Sequence, residues 1–448
     1  MNDRRAAADD TRKRLMARVE AMRRAPDPSR ERPAGDPTDF SSLPGFDELR
    51  VQRAVAARLG LDNPYFKLHD ARAGARTLIG NRELLNFSCY DYLGLNGHPE
   101  IMAAAQEALA RYGVSCSASR VVAGERQVHR DLERALAAHY SCDDSVVLVS
   151  GYATNLGVIG QLAGAKDLVI YDAVSHNSVV MGSVLSGATR RSFTHNDLDN
   201  LDEILSATRE RYHRVLIVVE GLYSMDGDFP DLPRLIEIKN RHKAWLMVDE
   251  AHALGVLGAR GGGIAEHFGV DPREVDIWMG TLSKTLAGCG GYIAGSAPLV
   301  DYLRSLCHAF VYSVGMPPVV AAAAAKALDI LHREPERVAR LARNGRLFFE
   351  GARARGLNTG SACGTAICPV VTGDSIAAAL LSQRMFDRGV NVQPVLYPAV
   401  PAKTSRLRFF LTAMHEESDI AAALDILAEE IAALPDAMRE LNIPGHPA

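Results

Sequence analysis

The chain of 448 residues is long enough for one large domain or two to three smaller ones. With 50 Lys and Arg against 54 Asp and Glu, it has no basic excess to suit nucleic acid, and no apolar run reaches the length of a bilayer span. Seven scattered cysteines, without a CxxC pair or a Cys/His metal spacing, argue against both a disulfide framework and a zinc site and suit a reducing, cytoplasmic setting.

Residues 1–40 read as a flexible tail. TRKRLMARVEAMRR places Leu15, Val19 and Met22 on one side of a short helix, and APDPSRERPAGDPTD follows as a Pro-rich linker. The N-terminus lacks the apolar core of a signal peptide, and Asp3, Asp9 and Asp10 argue against a transit peptide. A solvated tail and a docking element for a partner both fit this composition. Residues 41–97 form a helix and strand segment: a helical run from Phe46 to about Gly74, then short strands and turns through RTLIGNRELLNFSCYDYLGL.

Over residues 98–325 helical patterns alternate with the short apolar runs SVVLVSG, DLVIYDA, RVLIVVEG, AWLMVDEAH, DIWMGTL and GGYIAG. Apolar runs with few interior charges suit strands buried on both faces of a mainly parallel sheet. The fold class is therefore α/β, with ligands expected at the strand ends. VVAAAAAKALDIL, the most apolar stretch, is broken by Lys326 and Asp329. From 326 to 448 a smaller C-terminal α+β domain is expected. A helix near 333–355 precedes the strand-like TAICPVVTG, VNVQPVLYP and RLRFFLTAM. The closing SDIAAALDILAEEIAAL sets Ile420, Leu424, Leu427, Ile431 and Leu434 on one helix face, with Ser418 or Asp419 as the cap.

GTLSKTL poses the chemical question. A lysine beside Ser, Thr and Gly holds a phosphate, forms a covalent imine, or faces water. The phosphate reading fails because Ser283 stands where a P-loop needs glycine, and no GxGxxG follows a first strand. The imine reading needs a cofactor that withdraws electrons, as pyridoxal 5'-phosphate (PLP) does, and hence a carboxylate for its ring nitrogen and a cradle for its phosphate. Asp249 ends AWLMVDEAH and either partners that nitrogen or caps the next helix; His252 lies three residues on. Ser150, Gly151 and Tyr152 stand between a strand and a helix, where backbone amides bind phosphate or form an ordinary turn, and Thr281 offers a hydroxyl. His176 follows another strand and either stacks on a ring or sits in solvent. Glu220 and Ser224 follow a further strand.

At this point the chain resembles the α-oxoamine synthases, PLP-dependent enzymes of fold type I. The resemblance runs from about Pro64 to Leu434 and rests on NFSCYDYLGL, SGYATNLG, DAVSHNS, EGLYSMDGD, VDEAHALGVLG, GTLSKTLAGCGGYIAG, FVYSVGMPP and RLRFFLTAMH. It implies that Lys284 is covalent anchor and proton carrier, Asp249 the ring-nitrogen partner and His176 the stacking histidine. His252 and Ser224 then match residues near the cofactor's phenolic oxygen, and Gly151, Tyr152 and Thr281 the phosphate cradle. By the same resemblance Ser313 reaches the phosphate from a neighbouring subunit, so a homodimer with shared active sites is implied, and Arg408 binds the amino-acid carboxylate.

The implied reaction condenses a small amino acid with an acyl thioester, losing carbon dioxide and a thiol. Tyr90 stands where several members have Asn, and serine palmitoyltransferases tend to carry Tyr there. Glycine-using members usually read GGTR where this chain has Ser117-Ala118-Ser119-Arg120. Ser119 lacks the threonine methyl that crowds the α-carbon, which favours alanine or serine. VAGERQVHRDLE is similar to members associated with polyketide synthases, which implies an acyl-carrier protein in place of acyl-CoA. An aminotransferase or aldolase of the same fold would share Lys284 and Asp249 without needing a thioester. An inactive partner subunit would lack the lysine, and a PLP-binding regulator would need a DNA-binding domain for which the tail is too short.

Overall fold

The computed structural model describes residue 36 and residues 38–440. The tail helix and most of the linker expected before residue 40 lie outside the described residues. The chain divides into two compact units, Met1–Leu61 and Asp62–Ala448. In the first, a helix spans Phe46–Arg58. It stops well short of the expected Gly74 because Gly60 takes φ +66°. Gly60 and Leu61 turn their amides back to the carbonyls of Ala57 and Ala56, closing a Schellman motif that ends the helix.

The second unit opens with a hairpin of β1 (Arg76–Ile79) and β2 (Arg82–Asn86). Gly80 and Asn81 both have positive φ, as a two-residue turn matched to strand twist requires. Then follow β3 (Asp144–Leu148), β4 (Leu168–Asp172), β5 (Thr189–Phe193), β6 (Val215–Glu220), β7 (Trp245–Asp249), β8 (Ile277–Thr281) and β9 (Gly291–Gly295). They form one seven-stranded sheet in the order β3-β9-β8-β7-β6-β4-β5, with β9 antiparallel to both neighbours. The six apolar runs are six of these strands. The seventh, β5, reads TRRSF and sits at the edge with three exposed residues, so it lacks the buried-strand pattern.

The sheet is covered on both faces, and alternate residues of a strand serve opposite cores. Val218, Met247 and Met279 join one cluster with Val158 and Val179, from the helices Gly151–Leu162 and Asn177–Leu185. Val219, Val248 and Trp278 join the other, with Leu328 from the helix Pro318–Arg333. Each fully buried Val, Leu or Ile contributes roughly 1.5–3 kcal/mol, so a run with no polar alternation is what this position in the fold demands.

The remaining strands are β10 (Ile367–Gly373), β11 (Val390–Asn391), β12 (Pro394–Val395) and β13 (Ser405–Phe410). β10, β13 and β12 form an antiparallel sheet, while β11 pairs in parallel with β2, so the early hairpin shares a sheet with a late segment. Helices Pro335–Ala354, Ser375–Asp387 and Glu417–Glu440 complete this part. The last begins at Glu417, so Ser418 and Asp419 lie in its first turn and not at its cap. The Asp419 carboxylate accepts from the Glu416 amide, as a residue at the third helical position does in a capping box. Among the described residues no helix is long and apolar enough to cross a membrane.

Candidate active site

The carboxyl ends of β4, β6, β7 and β8 gather Asp172, Glu220, Asp249 and Thr281 along one edge, with Glu220 and Asp249 directly paired in register. Such an edge is where ligands bind in open α/β sheets.

The lysine loop leaves β8 at Thr281. The Leu282 amide donates to the Gly290 carbonyl (2.9 Å), tying the loop's start to the strand that follows. The Thr285 hydroxyl donates to the Leu254 carbonyl (2.7 Å), and Leu282 and Leu286 are fully buried. Lys284 is thus held between fixed points, with Nζ 5.8 Å from the centroid of the Tyr90 ring. Among the described residues no carboxylate forms an ion pair with it. Burial lowers its pKa to about 8, against the opposing pull of Asp249 and Glu220 and with added repulsion from Arg408.

Asp249 is buried and accepts from the Asn155 side chain (2.8 Å) and the Ala251 amide (2.9 Å). Asn155 is buried too and also donates to the Ser178 hydroxyl (3.0 Å); the carboxylate, which only accepts, fixes which way its amide faces. His176 caps the helix Asn177–Leu185. Its Nδ1 accepts from the Ser178 amide (3.3 Å) and meets the Ser178 hydroxyl (2.7 Å), which leaves Nε2 to carry the proton of the neutral ring. Its pKa is lowered by burial, with Asp249 opposing and Lys284 and Arg408 adding to the effect. Glu220 accepts from the His176 amide (2.6 Å) and the Ser224 amide (3.3 Å). Burial, then the charge of Asp249, pushes it up to about 8.

Ser150 caps the helix Gly151–Leu162, and the first-turn amides of Gly151 and Tyr152 have no acceptor within that helix. A Cβ on Gly151 would lie 2.8 Å from the Thr281 hydroxyl oxygen, so glycine is what lets the helix start this close to Thr281. The Thr281 hydroxyl donates to the Gly290 carbonyl (2.8 Å) and accepts from the Ser283 amide (3.2 Å). An amide-lined helix start beside a hydroxyl suits a phosphate. Tyr152 is exposed at the rim, its hydroxyl donating to Asn177 (3.1 Å).

On the opposite side Arg408, from β13, donates to the Ser224 carbonyl (3.0 Å) and stacks 4.6 Å above the Phe410 ring. Its Nε is buried and has no acceptor among the described residues. Ser224 takes part here through its backbone. His252 meets the Tyr92 hydroxyl through Nδ1 (2.6 Å) and lies parallel to Phe410, while Tyr90 packs edge-on against the same ring. Burial, then Lys284, Arg408 and His176, lowers the His252 pKa well below its ordinary value.

Ser119 and Ser313 lie on two segments that meet each other. An isolated antiparallel bridge joins Ser119 to Val314, next to Ser313, and the Gly315 amide donates to the Ala118 carbonyl (2.9 Å). Among the described residues no hydrogen bond connects either serine to the Lys284 group. Val121, Val122, Tyr312 and Val314 around them are exposed.

Sequence reasoning passed over Asn155 and Tyr92, although both lie inside the quoted motifs. A buried polar residue in the middle of a helix with an apolar face was the available signal for Asn155. The residues fit PLP: a helix start cleared by a glycine, a buried carboxylate held by Asn155, an amine free of ion pairs, and an arginine with an unused donor.

The family model described as aminotransferase class I and II matches residues 82–427. The chain is 39% identical over 370 residues to an 8-amino-7-oxononanoate synthase of Symbiobacterium thermophilum, covering 83% of this chain and 94% of that one. It is 39% identical over 380 residues to the same enzyme of Pseudomonas putida, covering 85% and 96%. A serine palmitoyltransferase of S. paucimobilis, solved with a bound PLP–myriocin aldimine, superposes with a TM-score of 0.84 at 30% identity, over 90% of this chain and all of that one. The serine palmitoyltransferase of Sphingomonas wittichii gives 0.83 at 32% identity, over 90% and 99%. Alike in sequence to one set of these enzymes and in backbone to the other, over nearly their whole length, the chain belongs to the α-oxoamine synthase family of PLP-dependent, fold type I acyltransferases.

Proposed function

We propose that the protein joins a small amino acid bearing a side chain, alanine or serine, to an acyl group delivered as a thioester by coenzyme A or a carrier protein. The products are an α-amino ketone, carbon dioxide and a thiolate. The observation that carries this reading is convergence: Glu220, Asp249, His176 and Lys284 follow or end neighbouring strands of the main sheet, Arg408 reaches the turn after Glu220 from β13, and the charges of Asp249 and Arg408 act on Lys284 and His176.

Bound PLP supplies an aldehyde that amines add to and a ring that draws negative charge from the amino acid's α-carbon. Gly151, Tyr152 and Thr281 would hold its phosphate, Asp249 its ring nitrogen and His176 its face. Asp249 serves only if it is oriented, and the Asn155 bond supports that. His252, held by Tyr92 and parallel to Phe410, would serve near the cofactor's phenolic oxygen. Arg408 would take the substrate carboxylate through the donors its Ser224 bond leaves over, an arrangement suited to a planar anion.

Lys284 Nζ takes the α-proton and later returns one. In between, the α-carbon bonds to the acyl carbon, the carbon–sulfur bond breaks with its electrons leaving on sulfur, and the original carboxylate departs as carbon dioxide. With its pKa near 8, the amine both accepts and donates a proton near neutral pH. Tyr90, against Phe410 and with Nζ over its ring, would border the amino-acid side chain. Ser119, bridged to Val314 beside Ser313 amid exposed apolar side chains, fits with Ser313 a role in the active site of a second copy of the chain.

The test is an absorbance titration of the holoenzyme with L-alanine, L-serine and glycine. Thiol release and product mass are then measured with acyl-CoA and acyl-carrier donors. A response to glycine alone would sink the Ser119 argument, and product formation without thiol release would point to an aminotransferase or aldolase instead.

A further inference from the structure

The turn that follows β6 is held at its far end by His195. Asp172, the fully buried last residue of β4, accepts from the Val174 amide (2.9 Å) and the Asn196 amide (2.9 Å). His195, two residues past β5, sets Nδ1 against Asp172 Oδ1 (2.9 Å) and Nε2 against Asp228 Oδ2 (3.0 Å). A neutral imidazole has one N–H, and both facing atoms are carboxylate oxygens. Bonds at both nitrogens therefore require both protons.

Burial alone would lower the His195 pKa, but the two carboxylates outweigh it and hold the ring at about 10. The other titratable neighbours do not compete. Tyr223 meets the ring edge-on at 4.6 Å with its own pKa raised by burial. The Cys363 thiol is pushed up to about 11 by burial and the charge of Asp228.

What this ion grips matters for the site. The segment Gly221–Asp228 leaves Glu220 and ends at Asp228; it is closed internally by the Tyr223 amide on the Asp228 carbonyl (2.8 Å), and several of its other hydrogen bonds run to residues 363–408. The Ser224 carbonyl accepts from Arg408 (3.0 Å), and the Met225 carbonyl (3.1 Å) and Asp226 carboxylate (2.6 Å) accept from Arg406. The Gly227 carbonyl accepts from Thr365 (3.1 Å) and Cys363 (3.2 Å). At the near end the Glu220 carboxyl fixes the Ser224 amide. At the far end the Asp228 carboxylate is tied to β4 and β5 by His195.

We propose that His195 is a positioning residue for the amino-acid carboxylate: as an imidazolium it clamps the Gly221–Asp228 turn to β4, and the turn in turn aims the Arg408 guanidinium. With an imidazolium the Asp172–His195–Asp228 group carries one net negative charge; with a neutral side chain at 195 it carries two, on opposite sides of that side chain with nothing to offset them, and the hold on the turn weakens. The clamp rests on the reading of Arg408 as the carboxylate ligand.

The experiment compares holoenzyme affinity for L-alanine with that for ethylamine, which lacks the carboxylate, by absorbance titration. His195→Gln keeps a donor and removes the charge. It should weaken L-alanine about tenfold, leave ethylamine within about twofold, and keep kcat at saturating L-alanine within about threefold, as the loss of one well-aimed ionic hydrogen bond predicts. Adding Asp228→Asn, which restores the net charge, should recover most of the loss. Equal weakening of both ligands, or an unchanged affinity for L-alanine, overturns the proposal.

Arg408→Lys separates the two layers. If it erases the preference for L-alanine while His195→Gln does not, the clamp alone falls. If it leaves the preference intact, the role of Arg408 falls and the clamp with it. Should His195→Gln not fold, nitrogen-15 NMR of the unaltered protein decides: both ring nitrogens of His195 protonated at about pH 8 support the clamp, and a neutral ring there overturns it.

Discussion

Lys284 illustrates how burial does chemical work on a single side chain. An amine with an ordinary pKa is almost wholly protonated at pH 7, and a protonated amine neither adds to an aldehyde nor takes a proton. Lowered to about 8, roughly a tenth of Lys284 is neutral at that pH. The sign follows: the neutral fraction grows as pH rises and levels off above the depressed value. The rate at which cofactor-free protein takes up PLP should therefore climb about tenfold per unit below pH 8 and flatten above it, where an unshifted lysine would keep climbing toward 10.5. Stopped-flow absorbance across that range checks it. Lys284→Ala should lose at least about a thousandfold in thiol release, and borohydride should no longer fix PLP to the chain. Product at an undiminished rate would remove Lys284 from the chemistry.

At the scale of elements, the turn after β6 depends on Gly227. Its φ is +74°, and an added Cβ would fall against the Ile367 carbonyl oxygen. Gly227→Ala therefore meets backbone strain and a clash together and should destabilise the protein by about 2–4 kcal/mol, read as a lower denaturant midpoint. The six buried strands of the main sheet were legible because a strand covered on both faces must be apolar throughout. β5 was not, since its polar TRRSF takes its place at the edge by pairing with β4. The first helix ended early at a glycine turn that helical periodicity does not reveal. Lys284, Asp249 and His176 stood out as candidates because each follows or ends a strand with its own apolar signature, whereas Arg408 entered only through the family resemblance. The His195 clamp was not legible, because it joins three short segments whose adjacency exists only once β4, β5 and the turn are side by side.

For the whole molecule, the absence, among the described residues, of a hydrogen bond from Ser119 or Ser313 to the Lys284 group bears on assembly. If each active site draws these serines from a second copy, two defective chains can complement each other. Ser119→Trp and Lys284→Ala should each be inactive alone. Refolded together in equal amounts they should recover roughly a quarter of full activity, since about half the dimers are mixed and one of two sites in each is intact. No recovery would place Ser119 at the site of its own chain.

The parallel pairing of β2 with β11 has a consequence for synthesis. Asn391 donates its side-chain amide to Asn86 (2.9 Å) across 305 positions of chain. The hairpin therefore leaves the ribosome long before its third strand exists, and closing so wide a loop is slow. Phe87, just beyond β2, accepts from the Phe410 amide and donates to the Asn391 carbonyl, so the segment bearing Tyr90 and Tyr92 waits for the same late arrival. A nascent chain halted before residue 390 should hold a formed main sheet and an unfinished substrate pocket, a stage at which a chaperone would find Phe87 and its neighbours uncovered.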